Sequence, residues 1–276
     1  MNKRAKPSTT SAASTAFCAH KLEGPGGHLW IDGNGKITAD NGTLDAPKPN
    51  AFSLIEIADC PGATETCKAV CYVHGLKKHA PATHALYVHN SRMIRSILGE
   101  ARLAERWATL LARWIEDNCA GGFRWHVSGD VFTGLYAVWL RAVCDRAPGV
   151  NFWIYTRSFG FVPFLVPAHN LAINLSCDKD NYDYAATLEA AYPGRLRLCY
   201  LTVDGQTPDD LPDGSVIFPD YALRGGTVEG RAWFSALAPS YKSFVCPVDY
   251  HGKSENRRCG PCNRCLKLQA GEAWTH

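Results

Sequence analysis

Residues 51–72 read AFSLIEIADCPGATETCKAVCY. The first eight form a short apolar run with the character of a strand, and they lead straight into a Pro/Gly-containing loop carrying Cys60, Cys67 and Cys71. In a parallel βα architecture the loop after a strand lies at the C-terminal edge of the sheet, where ligands bind. Downstream, FRWHVS (123–128), NFWIYT (151–156), LAINLS (171–176), RLRLCYLTV (195–203) and SVIFP (215–219) read as further strands. Helical segments alternate with them. Between Thr83 and Asn118, Trp107, Leu110, Leu111, Trp114 and Ile115 recur at the spacing of an amphipathic helix, with Gly99 as a dividing point. Thr133–Arg146 and Tyr184–Ala191 read as two more helices. The alternation predicts an α/β protein, closing as a (β/α) barrel or partial barrel over residues 51–222.

The flanks read differently. Residues 1–27 are expected to form a flexible N-terminal tail. Residues 28–50 should hold a small hairpin, HLWIDGNGKIT with its turn at Asp32–Gly35, and an APKPN linker. Residues 223–276 read as an irregular, cysteine-rich metal-binding segment. Hydrophobic residues make up 46% of the 276 and charged residues 20%, enough apolar material for a substantial core. There is no apolar run of membrane-spanning length and no secretory leader, so a cytoplasmic protein that touches no membrane is expected. In that compartment twelve cysteines point to thiols and metal sites rather than disulfides.

Seven of those cysteines fall into two groups. Cys60, Cys67 and Cys71 are spaced C-x6-C-x3-C; Cys246, Cys259, Cys262 and Cys265 are spaced C-x12-C-x2-C-x2-C. Clustered thiolates select zinc or iron–sulfur centres over hard cations. Four can close a zinc site or hold a whole [4Fe–4S] cluster, and both readings stand for the C-terminal group. Three leave a position open for a substrate or cofactor. Basic residues adjoin both groups: Lys77, Lys78, Arg92, Arg95, Arg102 and Arg106 near the first, and Lys242, Lys253, Arg257, Arg258, Arg264 and Lys267 near the second. They suit phosphate contacts, or they offset thiolate charge.

On the loop ending Cys67-Lys-Ala-Val-Cys71-Tyr72, the segment from about residue 51 to 220 resembles the radical S-adenosylmethionine enzymes. The family's usual spacing is C-x3-C-x2-C, and both gaps are longer here. The resemblance implies that Cys60, Cys67 and Cys71 bind three irons of a [4Fe–4S] cluster. S-adenosylmethionine would chelate the fourth and be cleaved to a 5′-deoxyadenosyl radical after reduction by an electron donor. It also implies that Ser128-Gly129-Asp130, at the end of the second strand, meets the cofactor's amino group, with Asp130 the catalytic candidate; helix capping is the plainer role for that carboxylate. Tyr72, Thr156, Arg157, Ser176 and Asp178, at the loop and at later strand ends, complete the expected cofactor-binding set.

The chain also looks like phage-encoded proteins of this kind, which would place it in the host cytoplasm. The function expected is isomerisation of an amino-acid-bearing, hypermodified thymine base in phage DNA, with DNA or a modified nucleotide as substrate. Two alternatives stand beside it. One is a zinc-containing barrel base-exchange enzyme like the DNA- or tRNA-guanine transglycosylases, with Asp130 as base or nucleophile. The other is a non-enzymatic zinc-dependent nucleic-acid-binding protein.

Overall fold

A computed structural model describes residues 19–33, 48–252, 259–262 and 264–266. Eight strands form one sheet in chain order: β1 (Ala19–Gly24), β2 (Gly27–Gly33), β3 (Pro49–Phe52), β4 (Phe123–Trp125), β5 (Phe152–Thr156), β6 (Leu171–Cys177), β7 (Leu196–Thr202) and β8 (Val216–Pro219). Strands β1 to β3 pair antiparallel, and β3 to β8 are parallel. Parallel neighbours joined in sequence by crossovers of one hand place every connection on the same face. Two short helices, α1 (Glu65–Ala69) and α2 (Leu76–His79), follow β3 without burying a side chain, and the helices that contribute buried side chains to the main core cover that face: α3 (Pro81–Leu98), α4 (Ala101–Asn118), α5 (Gly134–Arg146), α6 (Val162–Leu165) and α7 (Tyr182–Ala191).

Strand alternation then sorts the side chains. Phe52, Phe123, Trp125, Phe152, Ile154 and Leu198 point into the main core, against Trp107, Leu111 and Ile115 of α4 and Tyr136 and Leu140 of α5. The face read from the α4 spacing is therefore the buried one, and the helical stretch does divide at Gly99, the C-cap of α3. The intervening strand residues face the opposite, inner side. There Trp153, Ala172, Cys199 and Val216 meet Cys265 and Leu266 of the C-terminal segment.

Three expectations are corrected. The sheet does not close into a barrel. The β1–β2 hairpin takes the free hydrogen-bonding edge of β3 that closure onto β8 would need, so β1 and β8 remain the edges. The hairpin starts earlier than read: residues 19–24 belong to β1 rather than to a tail, and Asp32 and Gly33 end β2. The turn is Pro25–Gly26, where proline fixes one φ and Gly26 takes φ 76°; residues 34–47 and 1–18 lie outside the described residues. The segment from residue 223 is not wholly irregular, because α8 (Val228–Ala236) forms there. The Thr227 hydroxyl caps it by accepting from the Gly230 N–H at 2.9 Å. Three one-turn helices follow, α9 (Pro239–Lys242), α10 (Pro247–His251) and α11 (Cys259–Cys262).

Candidate metal centre at the sheet edge

Strand β3 stops at Phe52, and the chain runs on beside β4 with the Leu54 N–H donating to Ser128 O at 2.9 Å. It then turns through Ile57, held at φ 62°, a strained value for a β-branched residue. Beyond lies the cysteine loop. Thr64 caps α1, its hydroxyl accepting from the Cys67 N–H at 3.0 Å and donating to Asp178 Oδ2 at 2.6 Å. The same carboxylate receives Arg157 Nη1 at 2.6 Å, and Asp180 Oδ2 accepts from the Thr66 N–H at 3.0 Å. The loop is thus fastened to the ends of β5 and β6. Gly62 is the point of closest approach: a Cβ there would lie 2.1 Å from Arg157 O. On the other side Asp59 pairs with Arg95 of α3, and its carbonyl accepts from the Asp130 N–H at 2.8 Å.

Cys60, Cys67 and Cys71 are all half-buried. Burial pushes the Cys60 thiol up to about 12, with the Asp130 carboxylate adding to the effect. Burial also raises Cys67 and Cys71; Arg157 opposes the shift at Cys67, and the N–H groups of Val73 and His74 oppose it at Cys71. Each thiol would hold its proton until a metal replaced it. Among the described residues no three His, Cys, Asp or Glu groups gather as ligands of a single metal ion. In a [4Fe–4S] cluster each cysteine binds a different iron, so its sulfurs surround an inorganic core rather than one ion.

The other residues singled out from the sequence fall into distinct places. Asp130, 5% exposed, accepts from the backbone N–H groups of Val131 (2.7 Å), Arg157 (2.8 Å) and Ser158 (3.1 Å), so its carboxylate clips the β4 end to the β5 end. Gly129 has φ 78°, and a Cβ on it would meet Leu54 Cβ at 2.5 Å. Ser128 is buried and its Oγ has no partner among the described residues. Thr156 is buried, and its hydroxyl accepts from the Ser158 N–H at 3.0 Å. Tyr72 is 71% exposed and donates its hydroxyl to Val127 O. Arg157 and Asp178 serve the loop clamp. Ser176 instead lies on the inner face, in register with Cys199.

Sequence reasoning missed Gly62, Thr64, Asp59 and Asp180. A capping signal was present in Thr64-Glu65-Thr66-Cys67, whereas Asp180 is recognisable only once β6 and the loop are side by side. The inner face was missed too. It carries Arg124, whose Nε donates to His126 O at 3.1 Å and whose guanidinium lies 5.0 Å from the Tyr155 ring centroid. Arg197 Nη1 donates to Asn174 Oδ1 at 3.2 Å. Buried Asp32, bonded by the Ser53 hydroxyl at 2.8 Å, has its pKa raised to about 7 by desolvation. Of the C-terminal group, Cys265 is buried, Cys246 and Cys259 are half-buried and Cys262 is exposed. Lys253, Arg257, Arg258 and Lys267 lie outside the described residues.

Fold and site together define an open α/β protein with a thiol-bearing loop clamped at the C-terminal edge of its parallel strands. The chain belongs to the gene product 88 family, which it matches over residues 28–268. It is similar to the gene 88 protein of Mycobacterium phage L5, 33% identical over 172 residues, covering 59% of this chain and 67% of that protein. No solved structure matches it. The relative supports the phage connection expected from the sequence, and no described helix is long and apolar enough to cross a membrane.

Proposed function

We propose that this protein is a radical S-adenosylmethionine enzyme built on a partial barrel, with Cys60, Cys67 and Cys71 as the cluster ligands. The observation that carries the reading is the position of the three-thiol loop: it follows the first parallel strand and is pinned by Arg157 and Asp178 from the third and fourth. A [4Fe–4S] cluster there would supply the coordination site for S-adenosylmethionine and the electron that cleaves it, drawn from an external donor. The protein's part is positioning. Thr64 and Asp178 fix the loop. Asp130, with both oxygens engaged, shapes the Ser128–Gly129 turn and is not itself free to meet the cofactor's ammonium. Ser128 Oγ and backbone carbonyls of that turn are the groups left for it. Asp130's engagement also counts against the base-exchange alternative, which needs this carboxylate as base or nucleophile.

The substrate belongs to the same proposal: an amino-acid-bearing thymine base of phage DNA, isomerised after hydrogen abstraction. The phage relative and the exposed cations Lys77 and Lys78, which follow Cys71 in the chain, with Arg92 on α3 and Arg102 on α4 exposed as well, support it. The C-terminal cysteines are read as a second metal centre. Anaerobic purification with iron, sulfide and zinc counted per chain tests the whole reading. Wild type should be brown, and the triple Cys60/Cys67/Cys71→Ala variant should lose about four irons, the content of one cluster. A reconstituted wild type holding zinc alone would remove the radical chemistry.

A further inference from the structure

Arg124 lies in the middle of β4 on the inner face, in a row of otherwise apolar neighbours: Ala51 beside β3, Trp153 on β5 and Ala172 on β6. It is half-buried. Its Nε donates to His126 O at 3.1 Å, and its guanidinium lies 5.0 Å from the Tyr155 ring centroid. Among the described residues neither terminal nitrogen has an acceptor, and no carboxylate forms an ion pair with it. Arg197, the other guanidinium of this face, differs: it donates to Asn174 Oδ1 and to Gly214 O, each at 3.2 Å. Burial works against the charge of Arg124, but Tyr72, Tyr155, Cys259 and Asp249 raise its pKa overall. A partly desolvated cation with two unfilled donors calls for an anion.

The backbone beyond β4 holds this group in one pose. His126 takes φ 62°, a left-handed value, and its carbonyl meets Arg124 Nε. The next peptide is fixed from both sides. The Val127 N–H donates to the Ser53 hydroxyl at 3.1 Å, and that hydroxyl donates to buried Asp32 at 2.8 Å. Val127 O accepts the Tyr72 hydroxyl. Tyr72 directly follows Cys71, so the cysteine loop comes within one peptide of the carbonyl that holds Arg124.

We propose that Arg124 is the binding residue for a carboxylate, that of the amino-acid group on the modified base. The inference rests on the substrate reading above and says which end of the substrate meets which residue. Two parallel N–H donors of a guanidinium match the two oxygens of a carboxylate, and the tie of Nε to His126 O leaves Nη1 and Nη2 for that purpose. Through Tyr72 the anchor is joined to the loop bearing the proposed cluster ligands, as a substrate of that centre requires.

The experiment uses the full chain, reconstituted anaerobically, and two probes. One is thymidine carrying glycine, linked through its nitrogen, on the 5-methyl carbon; the other is the same compound with its carboxylate converted to the carboxamide. In calorimetry the wild type should bind the acid about 10- to 100-fold more tightly than the amide, the range for a charge-assisted contact. Arg124→Gln should abolish that preference, and Arg124→Lys, which keeps the charge without the planar fork, should keep part of it. Neither substitution should alter affinity for S-adenosylmethionine or for an unmodified DNA duplex. Equal affinity for acid and amide in the wild type, which needs no substitution, overturns the inference, as does a preference that survives Arg124→Gln. Loss of S-adenosylmethionine or duplex binding would give the arginine to the cofactor's carboxylate or to a phosphate, and overturns it too; in all three cases the substrate reading stands. Wild type that binds neither probe overturns the substrate reading and this inference with it.

Discussion

Arg157 and Asp178 meet at 2.6 Å with both side chains buried, and the oxygen they share also accepts the Thr64 hydroxyl. One carboxylate oxygen therefore joins two strand ends to the cap of the helix bearing Cys67. Breaking a buried pair by removing one partner costs about 3–5 kcal/mol, because the other charge is left uncompensated. Asp178→Asn should lower the urea midpoint by that measure and loosen the loop enough to reduce iron uptake. Unchanged iron content would separate the pair from the cluster site.

Gly62 tests the same contact from the backbone side. Gly62→Ala puts a methyl 2.1 Å from Arg157 O, which only movement of the loop can relieve. The variant should be destabilised by roughly 1–3 kcal/mol, the usual cost of overpacking, and should bind less iron. Gly160→Ala is the control, since nothing lies within 4 Å of that added carbon. Equal melting temperatures for the two variants would contradict the close approach.

Replacing Asp130 should act first on folding. Asp130→Ala would strand the N–H groups of Val131 and Arg157, each formerly bonded to a charged acceptor at about 1.5–3 kcal/mol, while the Ser158 N–H keeps the Thr156 hydroxyl as acceptor. A loss of about 3 kcal/mol or more is expected in chemical denaturation. S-adenosylmethionine binding, measured by calorimetry on what remains folded, should weaken through displacement of the Ser128–Gly129 turn. A fully stable variant that merely loses cofactor affinity would restore Asp130 as a direct ligand.

His126 gives a pH signature. It is fully buried at φ 62°, with Nε2 paired to the Tyr136 hydroxyl at 2.9 Å, and desolvation depresses its pKa from 6.5 to about 3. The unfolded chain therefore takes up this proton first as pH falls. Its effect is absent above about pH 6.5 and costs stability progressively from there down through pH 3, by roughly 3–5 kcal/mol in all. His126→Asn, which tolerates the left-handed backbone, should flatten the decline between pH 6.5 and 4 in urea titrations. Parallel slopes for variant and wild type would place the acid sensitivity elsewhere.

If the cations beside the loop meet DNA phosphates, duplex affinity should fall steeply with salt. Each phosphate neutralised contributes about 0.9 to the slope of log K against log salt. Lys77→Ala with Lys78→Ala should then reduce the magnitude of that slope by up to about 2. Gel-shift titrations at several salt concentrations read it directly, and an unaltered slope would exclude both lysines from the contact.

The later strands and the long helices were legible because their apolar spacing is strong: the α4 face and the β5, β6 and β7 segments lie within a residue or two of their expected ends, whereas the strands expected over 51–58 and 123–128 stop at Phe52 and Trp125. The first hairpin was not, since Pro25–Gly26 competed with the more conspicuous Asp32–Gly35 as a turn. The cysteine loop was legible by composition. Its fastening was not, because Thr64 and Asp178 are 114 positions apart and meet only across the sheet edge. Asp130 was visible as a strand-end acid, but a sequence does not reveal that three N–H groups already occupy it. The polar inner face was hidden for a related reason: Arg124, Asn174 and Arg197 interrupt apolar strands singly, and only pairing brings them together.

Strand order carries a consequence for synthesis. Each strand docks beside the one made just before it, starting from the hairpin, so the growing chain can add layers as it emerges from the ribosome without waiting for distant partners. The cysteine loop is in place early, but the clamp from Arg157 and Asp178 arrives only with the third and fourth parallel strands. The tail that covers the inner face is translated last. A nascent protein truncated near residue 222 would present that face uncovered, with Trp153, Ala172, Cys199 and Val216 lacking the cover that Cys265 and Leu266 bring.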